Sequence, residues 1–163
     1  MTRLRILAGA AAMLLAACGS GESKMQQAVL FSAIDGQVVK SGQPLAGVTL
    51  NREWSFTGDG KRGHDSATTD ASGHFAFPAV IVPYQPARLL AQQPVVTQLI
   101  TLADGGEERR VWVSSKRDLA AGSEAASEPG TGSAAPLRVT IDLDAPRQLR
   151  GGVVGNSIFA GSP

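Results

Sequence analysis

A single cysteine, Cys18, occurs in this sequence of 163 residues. Everything after it therefore lacks the means to form a disulfide or to present a thiolate nucleophile. Aromatic residues make up only 5 %, so aliphatic side chains must supply most of any core. Charge of one sign is not in excess: the formal net charge is +1. Nucleic-acid binding needs a strong basic field, which this balance does not supply, so no nucleic-acid partner is expected. No uncharged run reaches the roughly 20 apolar residues of a membrane-spanning helix. Catalytic signatures are missing as well. There is no G-x-S-x-G elbow, and the segment Asp59-Gly60-Lys61-Arg62-Gly63-His64-Asp65 has neither the spacing of a phosphate loop nor that of a calcium loop.

What is present begins at the amino terminus. Arg3 and Arg5 form a short positive head, Ile6 to Ala17 carry no charge, and the small residues Ala16 and Ala17 lead into Cys18. Basic head, short apolar stretch and small-residue cleavage site are the parts of a secretory signal peptide. Leu15-Ala16-Ala17-Cys18 resembles the lipobox of bacterial lipoproteins. The resemblance implies that residues 1–17 are removed and that Cys18 is lipidated and becomes the first mature residue. Two or three acyl chains would then hold the protein on a membrane without spanning it, each buried methylene contributing about 0.8 kcal/mol. Gly19 follows Cys18 where an inner-membrane retention signal would place Asp. The analogy therefore implies the outer membrane, periplasm-facing, in preference to the inner one. Cleavage removes two of the 15 basic residues and none of the 14 acidic ones, which leaves a nearly neutral single domain.

Residues 18–27 are small and polar and read as a tether. From Ala28 onward β-favouring residues dominate. Ser41-Gly42-Gln43-Pro44 and Asp70-Ala71-Ser72-Gly73 are turn sequences, and Asp104-Gly105-Gly106 is hairpin chemistry between Val95–Leu102 and Arg110–Ser114. Thr57 to Asp65 has no apolar residue and reads as an exposed loop. Pro78, Pro83 and Pro86 make the stretch that follows a poor helix and a poor central strand. Leu137, Val139, Ile141 and Leu143 alternate strictly with polar residues, as a strand with one buried face requires. Residues 120–136 are Ala, Gly, Ser, Glu and Pro with a single Thr, and are expected to form a flexible insert. Residues 145–163 are expected to be a loosely ordered tail. About seven short strands with no helix between them predict an all-β, antiparallel sandwich over residues 28–144.

Gly36-x-Val38, Gly42-x-Pro44-Leu45-x-Gly47-Val48 and Thr69-Asp70-x-x-Gly73-x-Phe75-x-Phe77 resemble the transthyretin-like (prealbumin-like), carboxypeptidase-regulatory type of β-sandwich. The surrounding Asn51-Arg52-Glu53-Trp54, Gln93-Pro94, Trp112 and Lys116-Arg117 are similar to an uncharacterised branch of bacterial envelope proteins built on that module. The resemblance implies a non-catalytic domain that binds, spaces or presents a partner.

Few residues stand out as site candidates. His64 and His74 are the only histidines, and their spacing fits no zinc motif, so no metal and no cofactor is expected. His64 falls in the glycine-rich loop and His74 at the start of a strand. Asp142 and Asp144 share an outward strand face. Trp54, Trp112, Arg110, Lys61 and Arg62 are the candidate binding residues. With Val111 and Val113 inward, Trp112 would lie exposed beside Arg110 as a binding anchor; alternatively Trp112 is itself a core residue, the commoner outcome in a small sandwich. The functional expectation is a membrane-anchored envelope lipoprotein, not an enzyme, acting as a binding or structural module with an envelope protein partner. An immunity lipoprotein against an envelope-targeted toxin is the second reading, and a hydrolase with an unrecognised site the third.

Overall fold

The computed structural model describes residues 25–86, 93–126, 128, 130–150, 153–155 and 157–159. The signal segment 1–17 and the lipidation site Cys18 lie outside the described residues, as does most of the tether. Every regular element among the described residues is a strand. In chain order these are β1 (Gln26–Phe31), β2 (Ile34–Lys40), β3 (Gln43–Pro44), β4 (Thr49–Phe56), β5 (Arg62–Thr68), β6 (His74–Phe77) and β7 (Val80–Tyr84). They continue as β8 (Val96–Asp104), β9 (Glu107–Lys116), β10 (Leu137–Asp142), β11 (Gln148–Arg150), β12 (Val153–Gly155) and β13 (Ser157–Phe159).

The strands form three sheets. One has the order β13-β10-β2-β3, with β6 also paired to β2. The largest has the order β11-β12-β9-β8-β4-β5, and β1 pairs with β7 in a separate ribbon. The two larger sheets close face to face over one core. Ile34, Val38, Phe75, Phe77, Val139 and Ile141 from the first meet Leu50, Ile100, Leu102, Val111 and Trp112 from the second. The ribbon caps one end, where Ala28 and Leu30 pack with Phe56 and Val96. Outside β9, where Val111 and Trp112 are both buried, each inward set follows the two-residue period of a strand with one wet face.

The turn chemistry has visible causes. Gly73 has φ of 74°, and a Cβ there would meet the Val38 carbonyl oxygen at 2.6 Å. Only glycine meets both demands. Asp70 Oδ1 accepts from the Ser72 and His74 amides at 2.8 and 3.0 Å, which closes the turn before β6. Thr69 Oγ1 donates to the Leu45 carbonyl at 2.7 Å and accepts from the Val48 amide at 2.9 Å. A single hydroxyl thus ties the turn after β3 to the turn after β5. Pro83 sits in β7, whose only strand partner among the described residues is β1, as the missing donor of proline demands.

Four expectations change. The pairing is antiparallel except at β10, which runs parallel to β2 with Leu137 opposite Ile34 and Asp142 opposite Val39. A parallel pair needs a long crossover, and here the chain between the two strands passes through the opposing sheet instead of a helix. The glycine-rich segment expected as an exposed loop over Thr57 to Asp65 becomes strand from Arg62. Three strands lie in the segment expected to be a loose tail. Among them β12 pairs with β9, and Val153 enters the core at 2 % exposure. Gly155 makes this approach to the Val111 carbonyl feasible, since any Cβ there would overlap it. The insert expected to be flexible is anchored by Glu124, which is 1 % exposed. Glu124 accepts from the Ser32 amide and hydroxyl at 3.0 and 2.7 Å and pairs with Lys116 at 3.1 Å. Composition alone does not reveal such an anchor, because one buried carboxylate with four donors outweighs the polarity of its neighbours.

Asp104, at the end of β8, links three elements. Lys40 Nζ reaches its Oδ1 at 2.6 Å, Arg109 Nη1 reaches its Oδ2 at 2.9 Å, and Arg109 Nη2 continues to the Leu143 carbonyl at 2.7 Å. The hydrogen bond from Lys40, followed by that from Arg109, holds the Asp104 carboxyl below its ordinary value of 3.8. A carboxyl depressed by folding contributes stability that is present above its unfolded value and is lost as pH falls through the folded one. Asp104→Asn should therefore lower the urea midpoint at pH 7. The gap between wild type and variant should close as the pH falls below about 4, a course that chemical denaturation across a pH series would follow.

Candidate functional site

β4 builds both faces of the site. Its even-numbered residues Leu50, Arg52, Trp54 and Phe56 point inward, and its odd-numbered residues Asn51, Glu53 and Ser55 point to solvent. The inward set includes a charge. Arg52 is fully buried, and its guanidinium lies 4.5 Å from the Phe77 ring centre, 5.0 Å from that of Phe31 and 5.5 Å from that of Trp54. Nε and Nη2 donate to the two carboxylate oxygens of Asp65 at 2.8 and 2.5 Å, and Nη1 donates to the Pro78 carbonyl at 2.8 Å. Asp65 is the direct cross-strand partner of Arg52, which lets the pair be bidentate. Next along the strand, Trp54 lies opposite Gly63, where a Cβ would come within 2.5 Å of the indole. Glycine at 63 therefore lets the half-buried indole lie flat over the edge strand.

The outward set lines a groove. Two rungs cross three strands: His64, Glu53 and Leu99 in one, and Arg62, Ser55 and Thr97 in the other. With Trp54 and Gly63 these residues surround a cleft of about 630 Å³ on the open face of the six-stranded sheet. A smaller hollow of about 210 Å³ adjoins it, lined by Asn51, Glu53, His64, Asp65, Ser66 and Glu108. The side chains of Glu53, Arg62 and His64 are exposed and make no hydrogen bond or ion pair with any described residue. A carboxylate, a guanidinium and an imidazole free of described partners in one groove suit recognition of a polar ligand. Among the described residues no cluster of three or more acidic or histidine side chains could hold a metal ion.

The structure brings together two of the five candidate binding residues, Trp54 and Arg62. Lys61 precedes Arg62 in the turn, and its ammonium is engaged by Asp59 at 2.5 Å. Arg110 lies exposed on the same sheet face but on β9, opposite Thr101, with β4 and β8 between it and Arg62. Trp112 is corrected: it is completely buried and cannot serve as a surface anchor. The cause is a β-bulge. Ile100 pairs with Trp112 and Thr101 with Arg110, so Val111 is an extra residue in β9. An extra residue reverses strand parity. Trp112, Ser114 and Lys116 therefore face inward on one side of the bulge and Val111 on the other. Trp112 packs on Phe31 at 5.6 Å and donates from Nε1 to Gln98 Oε1 at 3.2 Å.

Glu53, Thr97 and Leu99 escaped the sequence reading, and the parity of β4 and β8 was the signal for them. The same parity places Arg52 among Leu50, Trp54 and Phe56. His64 belongs to β5 rather than to a loop. His74 opens β6 on the far sheet, half exposed, with Nε2 2.8 Å from Asp35 Oδ1.

Residues 34–132 match the family model described as a domain of unknown function, DUF6795. The chain belongs to this family. Neither the curated proteins nor the solved structures give a match. The matched span contains the groove, Arg52 with Asp65, and the Glu124 anchor. No helix among the described residues is long and apolar enough to cross a membrane.

Asp65→Ala should lower stability by about 2–3 kcal/mol. This is below the 3–5 typical of a wholly buried pair because Asp65 keeps a third of its side-chain exposure. Arg52→Lys should also destabilise, since a lysine cannot make the two-pronged bond or stack between the rings. Chemical denaturation of both variants measures the effect.

Proposed function

We propose that this protein is a lipid-anchored lipoprotein of the bacterial envelope whose folded domain is a non-catalytic binding module of transthyretin-like type. The binding surface is the outward groove on β4, β5 and β8. One observation carries the binding reading: Glu53, Arg62 and His64 line one groove with Trp54 and make no side-chain hydrogen bond or ion pair with any described residue, while nearby cations such as Lys61 and Arg52 are neutralised by neighbouring acids. A face that keeps its polar groups unspent is suited to meet another molecule. Support for the transthyretin-like assignment comes from the motif residues, because Gly73, Thr69 and Asp70 carry the turn bonds that the motif would need. Support for the anchor comes from Arg3, Arg5 and the Leu15-Ala16-Ala17-Cys18 motif. The partner is an envelope protein, and the domain faces the periplasm from the outer membrane.

Cys18→Ser should abolish incorporation of labelled palmitate and move the protein from the membrane to the soluble fraction. Retention of label in that variant would overturn the anchor. For the groove, a photo-crosslinking residue at Thr97 should yield a discrete envelope adduct in living cells. That adduct should disappear when Arg62→Glu and Leu99→Asp are combined with it, and the same probe at Arg138 on the other sheet should yield none. No adduct at position 97, or one indifferent to both substitutions, would overturn the binding reading.

A further inference from the structure

Gln98 on β8, Lys116 on β9 and Glu124 in the following loop converge inside the protein, away from the groove. Their exposures are 0 %, 7 % and 1 %. Val96 pairs with Lys116 and Gln98 with Ser114, so the lysine and the glutamine are diagonal neighbours on adjacent strands with both side chains inward. One carboxylate oxygen joins them: Glu124 Oε1 accepts from Gln98 Nε2 at 2.7 Å and from Lys116 Nζ at 3.1 Å. The other participants hold this arrangement. Trp112 Nε1 donates to Gln98 Oε1 at 3.2 Å and so polarises the amide carbonyl. Ser32 donates its amide to Glu124 Oε1 and its hydroxyl to Oε2, which fixes the plane of the carboxylate.

These contacts are the parts of an acyl transfer: an amine, an amide whose carbonyl oxygen already accepts a hydrogen bond, and a base touching both nitrogens. We propose that Lys116 and Gln98 join in an intramolecular amide cross-link, with Glu124 as the proton carrier. Lys116 first passes a proton to Glu124. The neutral Nζ then attacks Gln98 Cδ, and negative charge on Oε1 is met by the Trp112 indole N–H. Glu124 delivers its proton to Nε2 as the Cδ–Nε2 bond breaks, and ammonia leaves, taking up the proton that Nζ loses. One C–N bond forms, one breaks, nothing is oxidised or reduced, and no cofactor takes part.

Burial prepares the nucleophile. Burial pushes Lys116 down towards the neutral amine, against the opposing pull of Glu124. Burial would raise Glu124, but the charge of Lys116 and the bonds from Ser32 and Gln98 outweigh it and keep the carboxyl ionised, so Glu124 holds the proton only transiently on its way from Nζ to Nε2. Gln98 rather than Glu124 is the electrophile, because an ionised carboxylate repels a nucleophile and offers no leaving group, whereas the neutral amide is polarised at its oxygen and can release ammonia. Both nitrogens are held on one carboxylate oxygen, at 3.1 and 2.7 Å, and the reaction need occur only once per molecule.

Peptide mass mapping of the full-length chain, denatured and digested with trypsin, tests the cross-link. Peptide 89–109, which contains Gln98, should appear joined to peptide 111–117, uncut at Lys116 and about 17 Da lighter than the two together, the mass of the ammonia lost. Lys116→Arg and Gln98→Met should each abolish the joined species. Glu124→Gln keeps the volume and removes the base, and should reduce it at least tenfold in protein that circular dichroism shows to be folded. Free 89–109 and cleavage after Lys116 throughout the folded wild type would overturn the proposal. So would a joined species that persists in Lys116→Arg, or one undiminished in folded Glu124→Gln.

Discussion

The burial of Arg52 is the constraint around which the sandwich is arranged. A guanidinium removed from water must recover several kcal/mol of lost hydration through bonds to its own donors. It does so through two bonds to Asp65 and one to Pro78, with three aromatic rings around its plane. Each partner comes from a different part of the chain. Asp65 sets the register of β5 on β4, Phe31 brings in the end of β1, and Phe77 with the Pro78 carbonyl brings the end of β6 across from the facing sheet. A one-residue slip of β5 would turn Asp65 to the other face and leave the charge unmatched, so the pair specifies register more strongly than a hydrophobic contact of the same size. The groove inherits this precision. Glu53 and His64 sit on the outward side of the rung next to Arg52 and Asp65, and the alternation of β4 holds the two faces in step.

The second buried polar group works at another scale. Glu124 joins β1, β8 and β9 through Ser32, Gln98 and Lys116, and it pulls in a loop whose composition offers almost no apolar surface. Its hydrogen-bond accounts are full. By contrast the Ser114 hydroxyl, on the same rung as Gln98, is buried without a hydrogen-bond partner among the described residues. The Phe31 ring touches both polar centres, with the Arg52 guanidinium 5.0 Å and the Trp112 ring 5.6 Å from its centre. Phe31 is thus a hinge of the packing as well as a core residue, although it belongs to a short strand of the smallest sheet.

How far this arrangement could be read in advance depended on how local its causes are. β10 was legible because Leu137, Val139 and Ile141 keep strict alternation, and the hairpin at Gly105-Gly106 was legible because its turn chemistry is carried by adjacent residues. Trp112 was not decidable by alternation, since the bulge at Val111 shifts parity within a single strand and leaves no compositional mark. Arg52 could have been placed inward by parity alone, but its charge argued for solvent until Asp65 was known to stand directly opposite. Glu124 was beyond local reading altogether: its four donors lie on Ser32, Gln98 and Lys116, and the glycines around it suggested disorder. The groove was half visible. Trp54 and Arg62 stood out by residue type, whereas Thr97 and Leu99 acquire meaning only from their register against Ser55 and Glu53.

The same long-range dependence bears on where the domain ends. The family match covers residues 34–132, yet neither polar centre closes within those limits. Phe31 supplies one wall around Arg52, Ser32 gives two of the four donors to Glu124, and the Leu30 carbonyl accepts from Gln98 at 2.8 Å. β2 carries its parallel partner β10 at residues 137–142, beyond the other limit, and without it one long edge of β2 would be open and Val139 and Ile141 would leave the core. Buried charge tolerates a missing partner far less well than buried hydrocarbon does. The physical unit that holds the groove in shape therefore runs at least from β1 through β10.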